Sequence, residues 1–170
     1  PKATRRIGEL NRDIKALGTP NIGAIEEYDR VNTRYTYLSE QRDDVEKAKE
    51  ELERLYGIRV LPVQADISAG ADNAAVAAET VRKAVAEFGG IDGLINNAQA
   101  SASGVKLADH TTEQFDLAMY SGLYATFYYM KACYPYLAKT QGSVINFASG
   151  AGLFGNFGQS AYAAAKEGIR

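Results

Sequence analysis

The chain has 170 residues, 46% of them hydrophobic, and a formal net charge of -2. That slightly acidic balance argues against an electrostatic nucleic-acid binder, and no run approaches the roughly 18 consecutive apolar residues that a membrane-spanning helix requires. Its one cysteine, Cys133, excludes an internal disulfide, and no secretory leader pattern opens the sequence, so the cytoplasm is the expected compartment.

From Pro1 to about Tyr56 the sequence is highly charged and helical in period. Ile7, Leu10, Ile14 and Leu17 step by 3, 4 and 3; beyond a Gly18-Thr19-Pro20 break, Tyr28, Val31, Tyr35, Leu38, Arg42 and Val45 continue the same spacing. This is the stripe of a coiled coil. Thr19 can cap a helix whose first position is Pro20, where the missing N–H costs nothing. The pattern predicts one helix from Pro20 to about Tyr56, packed on the rest of the chain or on a partner helix.

From Ile58 onward short β-branched runs alternate with longer helical ones. Predicted in order are a strand at Ile58–Ala65 ending at Asp66, a helix at Asn73–Phe88 and a strand at Ile91–Asn96. A long helix at Thr112–Ala138, a strand at Ser143–Ala148 and a helix from Ser160 follow. Strands separated by helices pair in parallel through crossovers, so the fold class is α/β, a partial Rossmann-like sheet preceded by a long helix. Cys133 falls in an apolar helical stretch and reads as a core residue. His110 flanks a helix start, and with no second histidine or cysteine cluster no metal site is expected.

The chemistry concentrates at the C-terminal end. Ser149 is followed thirteen residues later by Tyr162 and four residues after that by Lys166. On a helix, i and i+4 side chains share one face, about 5–6 Å apart at Cβ. A phenol ionises near pH 10, and an adjacent ammonium favours the phenolate, which makes tyrosine usable as a general acid or base. Ser149, at the end of a predicted strand, supplies a hydroxyl to orient a carbonyl or alcohol. Taken alone, Tyr162 and Lys166 read better as an ordinary aromatic and a solvated charge, and Ser149 as a strand-ending turn residue.

The surrounding residues change that balance. The segment GSVINFASGAGLFGNFGQSAYAAAKEGIR from Gly142 to Arg170, with an NNA motif upstream and a VQADIS strand end, resembles the short-chain dehydrogenase/reductase family. The resemblance covers about residues 54–170. It implies an oxidoreductase moving hydride between NAD or NADP and a small carbonyl or alcohol substrate. By the same resemblance Ser149 binds the substrate oxygen, Tyr162 donates or accepts its proton, and Lys166 lowers the tyrosine pKa and binds the nicotinamide ribose. Asp66 matches the acid that contacts adenine, although a strand-terminating Asx turn explains it nearly as well. Asn96, Asn97 and Ala98 match the first three residues of an NNAG signature lining the cofactor cleft, with Gln99 in place of its glycine.

The family often places a further catalytic asparagine in the next helix, and Gly122 stands at that position. Gly150, Gly152, Gly155 and Gly158 resemble the substrate-side loop, or a merely permissive surface loop. Tyr120, Tyr124, Phe127, Tyr128 and Tyr129 give the long helix an aromatic surface, mostly core, which in the family also helps form subunit contacts. Departures from the pattern are large. No strand with a TGxxxGxG turn precedes the α/β part, so the usual pyrophosphate cradle is missing; the second strand is unrecognisable, and the sequence ends within the catalytic helix. Weak or absent activity of the isolated chain is the expectation, since catalysis needs the nicotinamide held at near-attack distance.

The N-terminal part has its own likeness. Residues 3–53, including GAIEEYDR and YLSEQRDD, resemble the C-terminal coiled-coil segment of bacterial structural maintenance of chromosomes (SMC) proteins. The expected division is therefore 1–53, coiled-coil-like, and 54–170, a partial Rossmann-like domain. Two alternatives to the enzyme reading follow: an SMC-like segment acting by helix association in chromosome organisation, or a chimaeric or artificial fusion without natural activity. The strand at Ile91–Asn96 is left with an unpaired edge, a template for association. Either Ile58–Ala65 pairs there or the chain self-associates.

Overall fold

The computed structural model describes residues 5–8, 12 and 22–170. The Thr19–Pro20 cap and the stripe positions Leu10, Ile14 and Leu17 lie outside the described residues. The chain forms two compact units, Pro1–Pro62 and Val63–Arg170.

In the first unit, helix α1 runs from Ile22 to Tyr56 as one continuous element, in keeping with the 3-4 spacing. Its surface carries short-range charge pairs such as Arg30 to Glu27 at 2.7 Å. The apolar stripe is open: Tyr28, Val31, Tyr35, Leu38 and Val45 are all exposed. Glu53 closes the helix, its carbonyl accepting from Gly57 N at 3.0 Å and its carboxylate from Val60 N at 3.0 Å.

The strand expected at Ile58–Ala65 does not form; residues 57–66 are irregular. A strand exists only by exchanging hydrogen bonds with a neighbour, and the sheet consists of two other strands paired with each other. The expected pairing of Ile58–Ala65 as a strand beside Leu94 is therefore overturned, since that segment contributes no strand to the sheet.

The second unit begins with a 3-10 turn at Gly70–Asp72 that leads into helix α2, Asn73–Phe88. Strand β1, Gly93–Asn96, pairs in parallel with β2, Ser143–Asn146, in the register Gly93↔Ser143 to Asn96↔Asn146. Both strands are shorter than the apolar runs suggest, with flanking bonds from Ser143 N to Asp92 O and from Phe147 N to Asn96 O, each 3.0 Å. Leu94 packs on a core of Val81, Cys133 and Leu137 between α2 and the following long helix. Cys133 is buried, as its apolar surroundings suggest. On the other sheet face the cross-strand pair Ile95 and Ile145 is exposed.

The predicted long helix is interrupted. Thr111 caps α3, Thr112–Ala118, by accepting from Gln114 N while the Gln114 side chain returns a bond to the Thr111 N–H, a capping box. His110 directly precedes that cap. The chain then widens into a π-helical stretch, Met119–Tyr124, before α4, Ala125–Thr140. The aromatic surface here is less buried than expected. Tyr124 and Phe127 are exposed, because a helix carrying five aromatic residues over ten positions has more ring surface than one core-facing stripe can take. Tyr129 does reach the core, and its hydroxyl bonds Thr80 Oγ1 at 3.2 Å. Two further helices complete the unit: α5, Gly150–Phe154, and α6, Ser160–Ile169.

Candidate functional site

The three predicted catalytic side chains sit around the C-terminal end of β2. Ser149 has an extended backbone and is the N-cap of α5, its hydroxyl accepting from Ala151 N at 3.2 Å. Tyr162 and Lys166 stand one turn apart on α6. The Lys166 ammonium lies 5.8 Å from the centre of the Tyr162 ring and donates to the Phe147 carbonyl at 2.5 Å. A buried ammonium needs such an acceptor, and Lys166 is only 5% exposed. That bond ties α6 to the backbone two residues before Ser149.

α6 is held by close backbone approach. Ala161 and Ala165 are buried, and a Cβ on Gly152 would stand 2.9 Å from Glu167 N, so α5 lies almost in contact with α6. The glycine-rich connection, expected as a flexible loop, is in fact structured: Gly150–Phe154 is helical, capped by Ser149. Gly155 and Gly158 then take positive φ angles of 71° and 69°. The Gly158 carbonyl accepts from Gly104 N at 2.9 Å, and a Cβ at Gly158 would fall 2.8 Å from Gly104 Cα.

Of the predicted cofactor residues, Asn96, Asn97 and Ala98 stand at the end of β1, while Tyr162 and Lys166 stand on α6. Asn96 donates through Nδ2 to Asn146 Oδ1 across the strand pair at 2.8 Å. Asn96, Asn97 and Ala98 line a hollow of ≈ 220 Å³ together with Ile67, Thr126 and Tyr129. Asp66, beside Ile67, uses one carboxylate oxygen as an Asx turn, accepting from Ser68 Oγ at 2.7 Å and Ser68 N at 2.8 Å. Those two bonds hold its carboxyl below the usual aspartate range. Among the described residues no group of three histidine, cysteine, aspartate or glutamate side chains converges as for a metal.

One residue and one contact escaped sequence reasoning. Ser121 is fully buried, its hydroxyl within 2.6 Å of Leu117 O and 3.0 Å of Ala100 O while accepting from Ala100 N at 3.0 Å. It fastens the loop after β1 to the π-helical stretch. Gln99 and Gly122 each stood out as a departure from the family pattern, but nothing in the linear sequence says that they touch. The Gln99 amide lies against Gly122 and donates to Ala118 O at 3.2 Å.

The family model described as short chain dehydrogenase matches residues 24–170. The chain belongs to the short-chain dehydrogenase family. The match reaches beyond the expected boundary at residue 54 and into α1. A 12alpha-hydroxysteroid dehydrogenase from Clostridium sp. is 68% identical over 123 residues, 72% of this chain and 48% of that protein. A crystal structure of a short chain dehydrogenase from Mycobacterium avium superposes with a TM-score of 0.65 at 31% identity, over 73% of this chain and 43% of that one. The chain thus spans about half the length of the short-chain dehydrogenases it matches. The coiled-coil resemblance also stands: the chromosome partition protein Smc of Bacillus subtilis is 45% identical over 51 residues, 30% of this chain and 4% of that protein.

Proposed function

We propose that this chain carries the catalytic half of a short-chain dehydrogenase that interconverts a secondary alcohol and a ketone on an apolar, steroid-like substrate. The observation that carries the reading is the Lys166 ammonium buried beside the Tyr162 ring and bonded to Phe147 O, one turn of helix and one strand end fixed together at Ser149. The Ser149 hydroxyl, already an acceptor from Ala151 N, retains its own proton to donate to a carbonyl oxygen. Tyr162 gives its phenolic proton to that oxygen in reduction and takes it back in oxidation, and Lys166 keeps positive charge beside the phenol as the proton leaves.

NAD or NADP, when bound, would supply the hydride in reduction as its reduced form and take it up in oxidation. Asn96, Asn97 and Ala98, with the hollow they line, fit one wall of a dinucleotide site; Lys166 would hold its ribose, and Asp66, next in sequence to the lining residue Ile67, would contact its adenine. The sequence contains no glycine-rich turn to cradle the pyrophosphate, which makes weak binding the expectation.

Two facts support a steroid-like substrate: the 68% identity to a 12alpha-hydroxysteroid dehydrogenase, and the apolar lip between Ser149 and Tyr162. There Leu153, Phe154 and Phe157 are 53%, 88% and 80% exposed, an apolar surface suited to a flat hydrocarbon ligand. The test is a fluorescence titration of NADH and NADPH against the purified chain, followed by turnover of a hydroxysteroid. Weak dinucleotide binding and slow turnover lost in Tyr162→Phe are expected. Binding of neither dinucleotide, or turnover untouched by Tyr162→Phe, would overturn the reading.

A second reading rests on α1, whose open apolar stripe and likeness to Smc suit helix association. Self-association of the chain, through that stripe or the open edges of the two-stranded sheet, belongs with it.

A further inference from the structure

We propose that the Gln99 carboxamide stands in for the side chain that position 122 lacks, as a positioning residue that shapes the π-helical stretch against the catalytic helix. The inference rests on the oxidoreductase reading above for its functional meaning, but its geometry is independent of it. Gly122 is buried in the middle of the stretch. A Cβ built there would meet Gln99 Nε2 at 2.5 Å, Cδ at 2.7 Å and Oε1 at 3.1 Å. The amide of Gln99 therefore fills the space into which residue 122 would project. It enters from the opposite wall, the loop that follows Asn96, Asn97 and Ala98.

What the amide does there follows from its two ends. Nε2 donates to Ala118 O at 3.2 Å, a carbonyl at the mouth of the π-helical stretch. Helix ends and changes of helical bonding pattern are where backbone carbonyls take partners from outside, and Gln99 bonds this one from the neighbouring loop. Ser121 makes the matching connection one residue earlier, through Ala100. Two successive loop residues, Gln99 and Ala100, are thus stapled to the helix, at Ala118 O and Ser121 Oγ. The π-helical stretch in turn touches α6: the Leu123 side chain lies 3.1 Å from where a Cβ of Gly168 would stand. A change in how Gln99 seats is passed to the helix that bears Tyr162 and Lys166.

The other end, Oε1, is buried and accepts no hydrogen bond from the protein. A buried carbonyl oxygen without a donor is costly.

Two measurements on the purified chain decide the matter. The first is a thermal double-mutant cycle with Gly122→Ala and Gln99→Gly. Alanine is the better helix former, so with position 99 emptied Gly122→Ala should raise Tm by about 4 °C. In the native background the new methyl must expel the Gln99 amide and break its bond to Ala118 O, and the gain should vanish or reverse. Equal Tm shifts in both backgrounds would show that the amide does not occupy this space and would overturn the proposal, whatever the activity.

The second measurement separates positioning from plain stability. Gln99→Gly should lower kcat for hydroxysteroid oxidation about tenfold with KM for steroid little changed, and the swapped variant Gln99→Gly/Gly122→Asn, which returns a carboxamide from the helix side, should recover most of it. A swapped variant that regains Tm without regaining kcat would reduce Gln99 to a packing residue and overturn the positioning role. Should the native chain show no turnover, the dinucleotide affinity of the same three proteins replaces kcat as the readout: loss in Gln99→Gly and recovery in the swap support the proposal, and equal affinities refute it. A failed functional reading with an intact thermal cycle is thereby distinguishable from a failed proposal.

Discussion

Gly158→Ala should be among the more damaging single-methyl changes in the second unit, and Gly155→Ala gives the control. Both glycines have positive φ, 69° and 71°, so any L side chain at either one costs about 1–2 kcal/mol. They differ in space. A Cβ at Gly155 meets nothing within 4 Å, whereas at Gly158 it would lie 2.8 Å from Gly104 Cα, 2.9 Å from its carbonyl carbon and 3.2 Å from its nitrogen. Those are backbone atoms and cannot rotate away. Separating the two chains should add about 1–3 kcal/mol of overpacking strain and weaken the 2.9 Å bond from Gly104 N to Gly158 O, worth about 1 kcal/mol.

Urea denaturation of the two variants side by side should therefore give Gly158→Ala less stable than Gly155→Ala by at least about 1 kcal/mol. Amide exchange at Gly104 should accelerate in Gly158→Ala alone. Equal stabilities of the two variants, with unchanged exchange at Gly104, would refute the steric argument and mean that the connection between Ser149 and Tyr162 is not anchored there.

Burial holds the Cys133 thiol above its ordinary ionisation range. The stabilisation this represents is complete below the unfolded thiol pKa and is lost as pH rises through the raised native value. A disulfide reagent at mildly alkaline pH should label Cys133 at the rate of unfolding rather than at the rate of a free thiol, and prompt labelling of the folded chain would contradict its burial. Ser68→Ala removes the hydroxyl bond, the larger of the two that keep the Asp66 carboxyl low, and leaves the backbone N–H bond in place. A depressed carboxylate adds stability above its unfolded pKa that disappears as pH falls through the native one, so in the variant Asp66 should titrate higher and that acid-side loss should flatten. Carbon-13 NMR titration of the carboxyl reads this directly, and an unmoved curve would show that Ser68 is not its partner in solution.

Much of the fold is legible in the sequence where local pattern and tertiary context agree. Asn73–Phe88 is helical over the expected span, because Ala77, Val81 and Val85 recur on one face and that face meets the core. The long helix α1 follows from its 3-4 spacing alone. The segment Ile58–Ala65 shows the opposite case: its composition is that of a strand, but strand formation depends on a neighbour that composition does not announce. The break at Met119–Tyr124 is likewise invisible to a period of 3.6, since one extra residue per turn shifts the phase without changing the residue types. At the site, Tyr162 and Lys166 share a face because they are four apart, which any helix guarantees. The contact between Gln99 and Gly122 depends on where β1 ends relative to the π-helical stretch, a matter of folded geometry.

The buried residues of the second unit are predominantly small: Ala77, Ala118, Ala125, Ala161 and Ala165 are each 5% exposed or less. Apolar area lost per residue is correspondingly modest, so these helices gain cohesion through near-contact of their main chains rather than through bulky interlocking side chains. Such an assembly behaves like stacked plates with thin spacers. Its outer surfaces can drift freely in sequence, while thickening any one spacer, as Ala165→Val would, pushes an entire plate aside and carries Tyr162 and Lys166 with it. The proposed catalytic alignment is thus guarded by residues that have no chemistry of their own.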